Sequence, residues 1–407
     1  KKVKIDGKWL VVGKDCKIKK KTCKNSRKNH KTNKMLQTLI VYFLLIVVMM
    51  YLSYVGRAKS QWKYMVYAMI AYAVVFGIRY GVGVDYFSYL HNYNAYTTTT
   101  GHWGVSQSFE PGFGFITEAL ATCNAHYSIY FGVIAFLQML FTFLAFKDQP
   151  KLYPYLIFSF MAGAYWLTYS NGLRQIMALS IWIWAIKFMA EKKVWKFYLS
   201  IAFACTMHTS AVLLVVFYPI FHWKQEWFRD IRIQLALLVL SLVLMKLDVI
   251  QNVMQNLDTV IAMTRYDDYL QDDHAKQMHG EVKLGLGFFI TLLTIILLII
   301  NSNKIKDFFK SKYLDITYDL FMIGVALKYI FINSMLFARV NYYFINLLMV
   351  VAAFSMHYAH RRNKALFYTL LMLIVFIFFA TVLNGLDNTA TYVFFWQKDL
   401  YHLKYSF

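Results

Sequence analysis

Charge is scarce in this chain, and negative charge is scarcer still. Of 407 residues, only 16% are charged, with 43 Lys/Arg against 21 Asp/Glu, while 59% are hydrophobic. A soluble globular chain carries about 25% charged residues, so the balance argues against a water-soluble domain. Proline and cysteine number four each. The cysteines make no disulfide framework. Cys123 and Cys205 sit in apolar context as small packing residues, and Cys16 and Cys23 have no histidines at zinc spacing beside them. Period-2 alternation is absent, which excludes a transmembrane barrel. A cleavable signal is absent too, because the first apolar run is too long for an h-region and lacks a small-residue cleavage site. Gly81-Val82-Gly83 is no nucleotide fingerprint, since no strand pattern precedes it.

Long apolar runs are what the chain does have. Leu36 to Tyr54, Tyr127 to Phe146, Leu284 to Ile300 and Ala365 to Leu383 carry almost no charge, and about 20 apolar residues suffice to cross the hydrocarbon as a helix. The expected fold is therefore all-α: a polytopic integral membrane protein of about twelve transmembrane helices, with re-entrant or broken segments and two outer loops. Six short connections are cationic, around Arg57/Lys59/Lys63, Lys147/Lys151, Lys192/Lys193/Lys196, Lys224/Arg229/Arg232, Lys304/Lys306/Lys310/Lys312 and Arg361/Arg362/Lys364. Placing all six in the cytoplasm leaves Tyr80–Glu110, Asp248–Glu281 and the segment after Leu383 outside. The alternation then requires residues 111–125 to form a surface or re-entrant helix. It also requires Trp195–Phe221 to be two short helices meeting near Met207-His208-Thr209.

Residues 35–383 form the expected membrane domain and 384–407 an outer tail. Residues 1–34 hold fourteen Lys/Arg and two Asp, +12 of the net +22, and read as a disordered tail. It is either an arm for nucleic acid or anionic lipid, or a non-native extension ahead of a start at Met35. The crossing count places residue 36 outside, at odds with a cationic segment ahead of it.

Ionisable groups at membrane depth cost several kcal/mol and mark functional positions. Under this topology they gather on the outer side: Arg79 and Asp85, Glu110, Arg174, His208, Arg265 and Arg339. Asn171, Gln175 and Tyr342 lie beside them in sequence. Arg174 is poorly placed for the dipole of the helix it opens, which favours anions; a bound anion would resolve the misfit. Tyr86, Tyr89, Tyr93 and Tyr96 recur at helical spacing and suit an interfacial aromatic belt or a sugar-stacking surface. Asp267, Asp268, Asp272 and Asp273 read as a solvated face, and no metal site is expected.

Five segments carry a resemblance: Arg79-Tyr80-Gly81-Val82-Gly83-Val84-Asp85-Tyr86, Glu110-Pro111-Gly112-Phe113, Asn171-Gly172-Leu173-Arg174-Gln175, Met207-His208-Thr209-Ser210-Ala211, and Arg339 ahead of Asn341-Tyr342-Tyr343-Phe344. In this order and spacing the chain resembles the EpsG family of Wzy-type polysaccharide polymerases over roughly residues 36–360. The basic tail departs from that pattern. The resemblance implies an outer-face glycosyltransferase of the bacterial cytoplasmic membrane. It would join polyprenyl-diphosphate-linked oligosaccharide repeats into an exopolysaccharide, capsule or O-antigen, beside a flippase and a chain-length regulator and without a cofactor or nucleic-acid partner. Arg174, then Arg79, Arg339 and Arg265, would stabilise the leaving diphosphate. Asp85, then His208 or Glu110, would be the general base, and Tyr86, Tyr89, Asn171, Gln175 and Tyr342 would contact substrate. A flippase for the same intermediates, a ligase and an acyltransferase are the competing readings.

Overall fold

The computed structural model describes residues 2–5, 8–11, 16–98, 109–224, 226–246, 285–332, 335–385 and 389–398, with side chains described from residue 33 onward. Among the described residues the architecture is almost entirely helical, as the apolar runs require. In chain order the helices are α1 (Cys16–Lys59), α2 (Lys63–Gly77), α3 (Tyr86–Thr98), α4 (Pro111–Thr122), α5 (Tyr127–Leu144), α6 (Tyr153–Ala162), α7 (Tyr165–Ser170), α8 (Leu173–Ala190), α9 (Val194–Met207), α10 (Phe217–Trp223), α11 (Ile231–Lys246), α12 (Leu286–Phe309), α13 (Lys312–Ile330), α14 (Met335–Ile345), α15 (Leu348–Arg362) and α16 (Lys364–Gly385). Six apolar stretches among the described residues are long enough to cross a membrane, and Lys63–Gly77, Val194–Met207 and Thr209–Trp223 are shorter apolar helices.

The sequence alternation of about twelve crossings needs shorter helices such as α2, α9 and Thr209–Trp223 to traverse the bundle beside the six long apolar stretches. Two of these shorter helices are half-length. The 14 residues of α9 rise about 21 Å at 1.5 Å per residue, short of the roughly 30 Å hydrocarbon core. The helix stops at His208, which is extended at φ −159° and ψ 124°, and a 3₁₀ segment, Thr209–Val216, carries the chain onward into α10. The broken span expected at Met207-His208-Thr209 is thus present. Likewise α4, with 12 residues, is too short to cross.

The cationic connections share one end of the bundle. Lys187 pairs with Asp148 at 3.3 Å, Arg229 with Asp307 at 2.6 Å and Lys306 with Glu226 at 3.4 Å. Arg57 lies over the Tyr155 ring, whose hydroxyl meets His360, and Arg362 lies over Phe308. Within that end Lys306, 1% exposed, also pairs with the fully buried Asp319 of α13 at 3.2 Å. Backbone N–H groups of Trp227 and Phe228 donate to the same carboxylate. A buried charge pair is tolerable only when its remaining lone pairs are satisfied in this way, and the pair ties α12 and α13 to the segment ahead of α11.

At the opposite end residues 389–398 meet the start of the first span and the loop after α2. A two-residue strand, β3 (Arg79–Tyr80), follows α2 and pairs antiparallel with β4 (Val393–Phe394). The sequence pattern had not indicated a strand there, because two residues are too few to show alternation. The Gly83 N–H donates to the Thr389 carbonyl, Tyr42 Oη to the Ala390 carbonyl and Tyr392 Oη to the Val75 carbonyl. Residues 389–398 are therefore stitched into the fold rather than forming a separate tail. Gln37 bonds to Tyr392 and Gln397, which places the start of the first span at the end away from the cationic turns. Ahead of it, Lys2–Ile5 and Lys8–Val11 form a hairpin, β1–β2, and α1 begins at Cys16, where a structureless tail was expected. Lysine is a good helix former, and extending an existing helix avoids the cost of nucleation.

Candidate functional site

The site is assembled from the loops at the end opposite the cationic turns, and glycine conformation sets its geometry. Gly83 has φ +100° and Gly172 φ +52°, both in the left-handed region that glycine adopts at little cost. The two loops interlock. Asn171 Oδ1 accepts from the Val84 N–H at 2.6 Å, and Asp85 Oδ2 accepts from the Gly172 N–H at 2.8 Å. A Cβ on Gly83 would lie 2.6 Å from the Ser170 carbonyl oxygen, so the loops approach as closely as backbone allows. Asp85 thereby reaches Gly172, the N-cap of α8, where the helix dipole favours an anion.

Glu110 is the hub. It occupies the N-cap of α4 with Pro111 at the first helical position, a position that loses no hydrogen bond to proline. Gly112 lets this turn seat against α9, since a Cβ there would lie 2.3 Å from Thr206 Oγ1. The carboxylate then meets two partners. Arg174 Nη1 donates to Oε2 at 2.8 Å, and His208 Nδ1 lies 2.7 Å from Oε1, which also accepts from the Thr209 N–H at 3.3 Å. The glutamate side chain is 9% exposed, those of Arg174 and His208 25% and 23%. Burial pushes the Glu110 carboxyl upward, but the His208 hydrogen bond and the Arg174 charge outweigh it and hold the group at about 2. An ionised carboxylate only accepts, so the proton of the His208–Glu110 bond sits on Nδ1.

The anion that Arg174 lacked at its helix start is therefore supplied by the protein itself. Its guanidinium also lies 5.2 Å from the Phe109 ring centroid, and its backbone N–H reaches Tyr89 Oη at 3.4 Å. Phe109 had no signal in the sequence beyond its place before Glu110.

Arg339 arrives from α14. Its carbonyl accepts from Gln175 Nε2 at 2.7 Å, and Tyr342 is within electrostatic reach of both Arg339 and Asp85. Gly324 allows the approach of α14 to α13, where a Cβ would lie 2.6 Å from the Ile345 nitrogen. Tyr343 Oη and Ser210 Oγ lie 2.9 Å apart, joining α14 to the segment after His208. All five sequence segments thus contribute a residue at this end, through Asp85, Glu110, Arg174, His208 and Arg339, although they span 255 residues of chain.

Several expected contacts turn inward. Arg79 is 2% exposed; Nη1 donates to the Phe76 carbonyl at 2.5 Å and Nε to the Val82 carbonyl at 3.4 Å. The rings of Phe76, Tyr86 and Phe131 enclose its guanidinium at 5.4, 5.7 and 5.1 Å. In this conformation Arg79 pins the loop that carries Asp85, rather than facing an open site. Tyr86, fully buried, donates to the Arg79 carbonyl. Tyr89, Tyr93 and Tyr96 are buried as well, stacking on Phe109 and Tyr130. These tyrosines are packing groups, because helical spacing on one face of α3 presents them to the bundle and away from lipid. Asn171 and Gln175 are likewise occupied with backbone partners. Arg265 and the neighbouring aspartates lie outside the described residues. Among the described residues no three His, Cys, Asp or Glu side chains group as metal ligands.

No curated protein and no solved structure matches the chain significantly. The family model for EpsG does match, over residues 62–395, which spans the loops of Asp85, Glu110, Arg174, His208 and Arg339 as well as the β4 strand. This multi-pass membrane protein belongs to the EpsG family, a family of Wzy-type polymerase-like proteins.

Proposed function

We propose that the protein is a glycosyltransferase of the bacterial cytoplasmic membrane. It joins polyprenyl-diphosphate-linked oligosaccharide repeats into an exopolysaccharide, capsule or O-antigen on the outer face. The observation that carries this reading is the shared, largely buried carboxylate of Glu110, which holds a guanidinium and an imidazole together. Transfer of a glycan from a lipid diphosphate demands those two groups. One must meet the charge that develops on the leaving diphosphate, and the other must take the proton from the attacking hydroxyl. A planar guanidinium matches phosphate oxygens in pairs, and it acts most strongly where water is largely excluded.

The division of labour follows from the hydrogen bonds. Glu110, held ionised at about 2, is too weak a base for a sugar hydroxyl and serves to position its neighbours. His208, its Nδ1–H fixed on Glu110, directs Nε2 away as general base, an arrangement that sets tautomer and ring orientation together. Asp85 is the second candidate, with one oxygen occupied by the Gly172 N–H. Arg174 and Arg339 take the diphosphate. The acceptor oxygen forms a bond to the anomeric carbon as the bond to the diphosphate oxygen breaks; the hydroxyl proton passes to His208, and the lipid diphosphate leaves. A single displacement of this kind inverts the anomeric centre.

The test is the size distribution and sidedness of lipid-linked glycan in cells carrying the protein, lacking it, or carrying Arg174→Ala. Single repeats accumulating on the outer face in both defective strains support the proposal. Accumulation on the inner face indicates a flippase instead, and unchanged polymer overturns the assignment.

A further inference from the structure

The cationic end of the bundle gathers a cluster that glycosyl transfer does not use. Tyr155 of α6 stacks on His357 of α15, with ring centroids 5.2 Å apart and planes 19° from parallel. Its hydroxyl lies 2.6 Å from His360 Nδ1. Arg57, at the end of α1, sits with Cζ 5.9 Å from the centroid of the same ring. His357 is 5% exposed, and its buried Nδ1 meets no hydrogen-bond partner. The charges of Arg57, Lys151 and Arg361 all bear on the His357 ring. These three cations come from three separate connections, so the tertiary fold, and not local sequence, brings them together.

Such a gathering needs a counter-charge. The nearby carboxylates are committed elsewhere, Asp148 to Lys187 at 3.3 Å and Asp307 to Arg229 at 2.6 Å. Like charges held close without an anion repel one another, and an orphaned buried ring nitrogen adds the cost of an unmade hydrogen bond. One anion seated among them would offset both terms. Depth then selects its source. Tyr51 and Tyr54 on α1 are 67% and 62% exposed, one to two turns before Arg57. Exposed tyrosines near a helix end mark the headgroup level of a bilayer. Arg57 therefore lies where phospholipid phosphates lie, and basic pockets between helices on the cytoplasmic side recognise anionic headgroups.

We propose that Arg57, Lys151 and Arg361 hold the phosphate of an anionic phospholipid at the cationic end of the bundle, with His357 beneath it. This site stands apart from the Glu110 cluster and does not depend on the function assigned there.

The test is native mass spectrometry of the full-length protein, delipidated in detergent and titrated with phosphatidylglycerol or phosphatidylcholine. The wild type is expected to retain phosphatidylglycerol in preference. Lys151→Gln, an exposed position that does not threaten folding, is expected to bind it about fivefold more weakly, with a similar factor for each arginine removed in Arg57→Gln/Arg361→Gln. Lys193→Gln, a cation of the same end outside the cluster, is expected to leave binding unchanged. Equal retention of the two lipids, or equal weakening by Lys193→Gln and Lys151→Gln, overturns the proposal. If inorganic phosphate alone displaces bound phosphatidylglycerol at comparable concentration, and Lys151→Gln weakens it equally, the site stands and its ligand is a soluble phosphate.

Discussion

Glu110→Gln changes one oxygen to an amide and removes one charge, at a side chain that accepts from Arg174, His208 and the Thr209 N–H. The glutamine has a single acceptor oxygen and an NH₂ that repels a donor. It can satisfy the arginine or the histidine, but not both. A hydrogen bond involving a charged group is worth about 1.5–3 kcal/mol. Arg174 is 25% exposed, so water recovers part of the loss, and about 2 kcal/mol is the expected cost, near thirtyfold in rate. Release of the His208 tautomer adds to this, since general base catalysis contributes roughly 10²–10⁴; together a loss of at least about a hundredfold is expected. The assay is polymerisation of purified lipid-linked repeats in proteoliposomes, read as chain length against time, with thermal unfolding in detergent as the control. The pH dependence offers an independent check. The folded-state value of about 2 lies below the reference of 4.5. The stability due to ionised Glu110 is therefore fully present above about 4.5 and is lost as the pH falls toward 2. The gap in melting temperature between wild type and variant should stay constant from neutrality to about pH 5 and close below 4.5. A variant that polymerises within about threefold of wild type would refute the shared-carboxylate argument.

Three further outcomes are expected. His208→Asn keeps an amide donor for Glu110 but removes Nε2, so melting should hold while polymer synthesis falls by roughly 10²–10⁴; normal synthesis would shift the base to Asp85. Gly83→Ala meets both φ +100° and a carbonyl oxygen 2.6 Å away. It should lower stability by about 1–3 kcal/mol and displace Asp85, seen as lower melting and shorter glycan together. Asp319→Ala leaves the buried Lys306 with Glu226 at 3.4 Å and the Phe228 carbonyl, and takes the acceptor from the Trp227 and Phe228 N–H groups, at a cost of about 3 kcal/mol. Membrane yield should drop sharply, while activity per folded molecule remains, because this pair lies at the far end from Glu110.

Much of this protein was legible in its composition and periodicity. The all-α membrane fold follows from apolar runs that can satisfy their backbone only as helices. The helix break at His208 followed from counting crossings between cationic turns, since 27 residues cannot pass twice through a bilayer as full helices. The five polar segments were visible because ionisable residues in lipid are costly and therefore stand out. Asp315 and Asp319, one turn apart in an apolar helix, carried the same signal unread, and the buried Lys306–Asp319 pair emerged only from the structure.

Which of those residues face one another was not legible, because contact across 255 residues of chain depends on helix packing rather than on local pattern. Tertiary structure decided that Glu110 joins Arg174 to His208 and that Arg79 is sealed under aromatic rings. It also turned the α3 tyrosines into the bundle and brought residues 389–398 back to the Gly83 loop. The physical reason is that sequence spacing fixes the face of a helix on which a side chain lies. What that face meets is set by close approaches, such as those at Gly83, Gly112 and Gly324, which only the assembled bundle reveals.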